Sequence, residues 1–147
     1  MNILRRSLAT AALLLAFAGP LHAQQGPSAA ALLQFEQAVT WASVAPNWRG
    51  IRPNWVQQVA GATRPNDVAA LMVQLETSMG WGAVQPSWRG RRAGWVAEAG
   101  SARSEAQVAR LLLELEETTL WSAVQQSWRG TRPGWVANLN RVVNGGK

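Results

Sequence analysis

Nine tryptophans fall on three interleaved series that share one period. Trp41, Trp81 and Trp121 are 40 residues apart, as are Trp48, Trp88 and Trp128, and Trp55, Trp95 and Trp135. No insertion disturbs the spacing, so most of the chain is one unit written three times, over about residues 28–60, 65–100 and 104–143. A unit of this length is one supersecondary element that buries its apolar face only against its neighbours, which restricts the chain to a repeat architecture. Ten positions are identical in all three copies; in the second they are Ala69, Glu76, Trp81, Val84, Trp88, Arg89, Gly90, Arg92, Trp95 and Val96.

Each unit reads as a helical hairpin. Val108, Leu111, Leu112 and Leu115 recur at helical spacing, Val68, Leu71, Met72 and Leu75 repeat the stripe, and Leu32, Phe35 and Val39 give a thinner version. Ser104 is placed to cap the third of these helices. The periodicity predicts that the long helices run to about Val44, Val84 and Val124. A tight turn is expected to carry the Trp-Arg-Gly triplet, with Gly50, Gly90 and Gly130 free to take a positive φ. Pro53 and Pro133 are expected in the first turn of a second, shorter helix. Nothing alternates with period two. The fold class is therefore all-α, three tandem helical-hairpin repeats, stacked either as a short solenoid or as a compact closed bundle with its tryptophans meeting at the centre.

Arg5 and Arg6 precede the apolar run Leu8–Gly19, Pro20 breaks it, and Leu21-His22-Ala23 offers a small residue before a polar stretch. This is the layout of a bacterial secretory signal peptide, with cleavage expected after Ala23 and the periplasm or medium as destination. The run is shorter than the roughly 20 residues a membrane span needs, and no later segment is more apolar. Residues 145–147 are expected to fray. The leader arginines aside, twelve basic residues face eight acidic ones, a net charge of +4, and eleven of the twelve are Arg.

Composition excludes much chemistry. The chain has no Cys and no Tyr, and its single His, His22, lies in the leader. Zinc and copper sites draw mainly on His and Cys, so no metal or cofactor is expected. Ser-His and Cys-His catalysis are excluded. A pair of Glu carboxyls converging in a cleft is the one remaining enzymatic option, and ranks third. The segment Leu111–Val124 (LLLELEETTLWSAV) resembles the helix preceding the zinc finger in some chromatin-remodelling subunits; no zinc ligand follows it here, and nothing is carried over.

Two roles compete for the recurring Trp-Arg-Gly-x-Arg-x-x-Trp segment. As packing, Glu36, Glu76 and Glu116 would pair with Arg, while Trp41, Val44, Trp55, Trp81, Val84, Trp95, Trp121, Val124 and Trp135 would fill the core. As a site, Trp48, Arg49, Arg52, Trp88, Arg89, Arg92, Trp128, Arg129 and Arg132 would present an aromatic face beside a guanidinium, suited to a sugar ring carrying a carboxylate or phosphate. The expected function is an exported, non-catalytic protein that binds or scaffolds in the cell envelope through these corners. Its partner would be an envelope protein or an anionic glycan, since export and modest charge argue against nucleic acid. The alternative is a purely structural repeat whose working surface lies elsewhere.

Overall fold

A computed structural model describes residues 25–145. The expected leader, residues 1–23, and the last two residues lie outside the described residues. Six helices follow in order: α1 (Pro27–Ala38), α2 (Trp48–Gly61), α3 (Pro65–Ser78), α4 (Trp88–Gly100), α5 (Glu105–Thr118) and α6 (Trp128–Val143). Each pair is joined by an extended segment holding one turn of 3-10 helix, at Trp41–Ser43, Trp81–Ala83 and Trp121–Ala123. The expectation of three tandem all-α hairpins holds.

Local chemistry starts these helices. Pro27 and Pro65 occupy the first position of α1 and α3, where a missing N–H costs nothing. Ser104 caps α5 reciprocally: its hydroxyl accepts from the Gln107 backbone N–H at 3.2 Å, and the Gln107 side chain accepts from the Ser104 backbone N–H at 3.2 Å.

The hairpins close on themselves. The first helices α1, α3 and α5 pack against one another, while α2 packs on α3, α4 on α5 and α6 on α1. The third repeat thus meets the first as the first meets the second, and the assembly is a closed bundle with pseudo-three-fold symmetry rather than an open solenoid. Its core includes the fully buried Leu32, Met72 and Leu112, and Phe35, Leu75 and Leu115. The tryptophans do not gather at the centre. Trp48 packs edge-on against Trp55, Trp88 against Trp95 and Trp128 against Trp135, and the third pair also touches Phe35 of the first repeat. Six buried indoles at about 150–250 Å² each contribute roughly 4–6 kcal/mol apiece of gross burial free energy, before chain entropy is counted.

A belt of backbone hydrogen bonds ties the joining segments together. Val44 bridges Met79, Val84 bridges Thr119 and Val124 bridges Val39, all antiparallel. The last carbonyls of the first helices, which lack an intrahelical partner, accept from the neighbouring repeat: Ala38 from Gln125 at 2.8 Å, Ser78 from Ala45 at 2.6 Å and Thr118 from Gln85 at 2.8 Å. In return Thr40 donates to Ala123, Gly80 to Ser43 and Leu120 to Ala83, at 2.9–3.1 Å.

This belt corrects three local expectations. The first helices end at Ala38, Ser78 and Thr118, six residues short of Val44, Val84 and Val124, because their ends are capped by another repeat instead of continuing. The Trp-Arg-Gly triplet is the first turn of the second helix, so Gly50, Gly90 and Gly130 are helical and none has a positive φ. Pro53 and Pro133 lie inside α2 and α6, in the second turn; lacking an N–H, each forgoes only one early hydrogen bond, and Ala93 stands at the same place in α4.

The seam between first and last repeats carries a contact of its own. Glu105 at the start of α5 accepts from both the backbone N–H and the hydroxyl of the buried Ser28 at the start of α1. A Cβ at Gly26 would meet that carboxylate, whose flexible end would have to swing aside, so glycine leaves room for the contact.

Candidate binding surface

The nine tryptophans divide into three classes with three surroundings. Trp48, Trp88 and Trp128, expected at an open face, are 1–3% exposed. Each donates its indole N–H to a buried carboxylate on the first helix of the same repeat: Trp48 to Glu36 at 3.1 Å, Trp88 to Glu76 and Trp128 to Glu116 at 3.0 Å. The spacing of twelve residues spans the hairpin, so the bond locks its two helices together.

The same carboxylates hold the second motif arginine. Arg52 meets Glu36 through two donors at 2.7 and 2.8 Å, Arg132 meets Glu116 likewise, and Arg92 contacts both oxygens of Glu76 at 2.8–2.9 Å. Hydrogen bonding to these carboxylates raises the three guanidinium pKa values above the usual arginine range, against the opposing effect of burial. Trp48, Trp88, Trp128, Arg52, Arg92 and Arg132 are therefore internal fastenings, and their placement as a binding face is corrected. Glu36, Glu76 and Glu116 are structural partners of Arg, as the packing alternative required. The reason is satisfiability: an indole N–H and a carboxylate both need partners when buried, and each supplies the other's.

Trp55, Trp95 and Trp135 are buried and reach across to the next repeat. Their N–H groups donate to the carbonyl oxygens of Leu71, Leu111 and Ala31 at 2.9, 2.9 and 3.0 Å. Val84 and Val124 are buried and Val44 half-buried, all three in the bridging belt.

Trp41, Trp81 and Trp121, expected in the core, are 48–49% exposed. They open the 3-10 turns rather than continuing the helical stripe, so the seven-residue spacing to the next tryptophan never becomes a shared helical face. Over each indole lies the first motif arginine: Arg49 over Trp41, Arg89 over Trp81 and Arg129 over Trp121, with the guanidinium 4.6–4.8 Å from the ring centroid. These three arginines are exposed, and none has a carboxylate within salt-bridge distance among the described residues. Such a stack contributes about 0.5–1 kcal/mol at an exposed position, enough to orient the pair but not to consume it.

The turns meet at one end of the bundle. Ala42, Ser43, Gly82, Ala83, Ser122 and Ala123 border a shallow depression of about 520 Å³ formed by all three repeats. Each bordering turn begins with an exposed tryptophan under its arginine, so the three Trp–Arg pairs adjoin the depression along the chain without lining it. No group of three His, Cys, Asp or Glu placed to hold a metal ion occurs among the described residues. No described helix is long and apolar enough to cross a membrane.

The fold and this end surface define a closed, three-fold repeat of helical hairpins that presents three copies of one cation–aromatic pair. The chain belongs to the family described as a domain of unknown function (DUF8799), whose model matches residues 29–80 and again residues 68–119. Each match takes in one hairpin and the first helix of the next, the stretch that contains the inter-repeat bond Trp55–Leu71 or Trp95–Leu111. No curated protein and no solved structure matches the chain.

Proposed function

We propose that the protein is an exported, non-catalytic binding or scaffolding protein of the cell envelope, and that it engages its partner on the ring of pairs Trp41–Arg49, Trp81–Arg89 and Trp121–Arg129. One observation carries this reading: every repeat leaves one indole half exposed beneath a cation with no carboxylate partner among the described residues, while its other two tryptophans are buried and its other motif arginine is paired with a buried glutamate. Retention of a residue pair that neither fills the core nor pairs with an acid speaks for recognition. Pairing of Glu36, Glu76 and Glu116 with arginine supports the non-catalytic reading, because these carboxyls do not converge in a cleft.

Export rests on the sequence of residues 1–23 and is tested by the mass of the processed chain in a periplasmic fraction; a chain retaining Met1 in the cytoplasm would overturn it. Binding is tested by co-sedimentation with isolated envelope. The wild-type protein should sediment, and the Trp41→Ala/Trp81→Ala/Trp121→Ala variant should stay in solution with unchanged helical circular dichroism. Equal sedimentation of both would place the working surface elsewhere and favour a purely structural use of the motif.

A further inference from the structure

We infer that the ligand of this surface is an acidic polysaccharide whose sugar rings carry carboxylates; the inference rests on the reading that the three Trp–Arg pairs are a binding surface. Charge fixes the sign of the occupant. Arg49, Arg89 and Arg129 stand over the three exposed indoles without acid partners among the described residues. A second copy docked end to end would oppose three guanidinium groups with three more, so self-association through this end is disfavoured.

Shape selects the chemical class. Protein interfaces anchor on large side chains seated in desolvated pockets. The depression shared by the three repeats is not of that kind: it is broad, and small or hydroxyl-bearing residues such as Ser43, Ser78, Gly82, Ala83 and Ser122 make up most of its lining. A pyranose ring has a flat C–H face and hydroxyls at its edge, which suits a rigid indole beside a polar, shallow floor. The adjoining guanidinium is a planar fork that pairs with a carboxylate through two donors. Each pair thus offers stacking for the ring and a counter-charge for its acid group.

Repetition selects a polymer. Three equivalent pairs around one axis bind successive or neighbouring uronate rings, and the second and third contacts form at the high effective concentration set by the first.

The test is affinity electrophoresis of the mature chain through gels holding polygalacturonate, dextran or poly-L-glutamate, at about 0.1 M salt so that non-specific charge attraction is partly screened. Retardation by polygalacturonate alone is expected. It should weaken at least tenfold in the Arg49→Gln/Arg89→Gln/Arg129→Gln variant and in the Trp41→Ala/Trp81→Ala/Trp121→Ala variant, both keeping wild-type helical content. Equal retardation by poly-L-glutamate overturns the polysaccharide and makes an acidic protein the partner. Equal retardation by dextran overturns the role given to the arginines. If polygalacturonate fails while envelope co-sedimentation still depends on the three tryptophans, the polysaccharide is wrong and the binding surface stands. If both fail, both readings fall.

Discussion

The indole N–H of Trp135 donates to the carbonyl oxygen of Ala31 at 3.0 Å, joining residues 104 positions apart. The equivalent bonds from Trp55 and Trp95 span 16 residues, so the contact that steps from each repeat to the next also closes the ring. Ring and N–H contribute separately. Trp135→Phe keeps an aromatic face against Phe35 and loses one donor, at a cost of about 1 kcal/mol. Trp135→Ala opens a cavity and should cost about 3–5 kcal/mol. Urea midpoints of the two variants check this; equal losses would mean that the N–H bond, not the packed ring, dominates the closure.

Closure has a consequence for truncation. In an open solenoid each repeat leans only on its neighbours, and a two-repeat piece keeps much of its structure. Here α5 packs on both α1 and α3, and α6 on α1. A chain ending at Gly100 therefore loses partners at both of its ends. It is expected to show little helical circular dichroism and no cooperative thermal transition, or to assemble with further copies that supply the missing hairpin. A monomeric, cooperatively melting 25–100 fragment would contradict the closed ring.

The tryptophan period made the number and type of elements legible from sequence, and the Ser104 cap followed from its position just before the apolar stripe that begins at Val108. The exposure pattern was hidden by one ambiguity. Trp41 and Trp48 are seven residues apart, which fits one helical face, and nothing local says that the helix stops at Ala38. What stops it is non-local: the Ala38 carbonyl is capped by Gln125 from the third repeat. One signal was present. The neighbours of the exposed tryptophans drift freely (Thr40, Gly80 and Leu120 before them; Ala42, Gly82 and Ser122 after), whereas Trp48, Trp88 and Trp128 are each followed by an unchanging Arg-Gly. Freedom on both sides of a constant tryptophan marks a segment whose side chains face solvent. Retention alone could not separate the classes, because a buried Glu–Trp–Arg fastening is retained as firmly as a site.

The two environments should differ sharply under alanine substitution. Trp81 is half exposed and its one named partner is Arg89, so Trp81→Ala is expected to cost at most about 1 kcal/mol. Trp88 is buried against Trp95 and holds Glu76, so Trp88→Ala should cost about 3–5 kcal/mol. Chemical denaturation of both reads the difference directly. Comparable losses would mean that the exposed indoles are packing elements after all, and the binding reading would lose its basis.

The carboxylate fastening is expected to be strongly coupled. Arg92→Ala leaves the buried Glu76 with only the Trp88 N–H, and a partly buried charge stripped of its counter-ion costs about 1–3 kcal/mol. Arg92→Lys should recover little, because an ammonium does not reproduce the planar fork. Glu76→Ala removes the acceptor of both donors and should be at least as damaging. The double variant Glu76→Ala/Arg92→Ala should lose less than the two single losses combined, since the two residues share one interaction. Strict additivity in a denaturation cycle would show that the pair does not interact in solution.

The pH dependence of stability follows from the same pairs, with the sign set by the direction of the shift. Arg52, Arg92 and Arg132 are raised in the folded state, chiefly by hydrogen bonds to Glu36, Glu76 and Glu116. A raised pKa stabilises the fold throughout the range below the unfolded value and is lost only as pH climbs through the folded value, which for arginine lies at the alkaline extreme. Residues 25–145 contain no His, Cys or Tyr. Apart from the chain termini, none of these residues is of a type whose ordinary titration range falls between about pH 6 and pH 10. The urea midpoint of a chain beginning at Gln24 should therefore be flat across that interval. A shift worth more than about 1 kcal/mol between pH 6 and pH 10 would require a buried group that titrates there, and would contradict the Glu–Arg ion pairs that fasten the three hairpins.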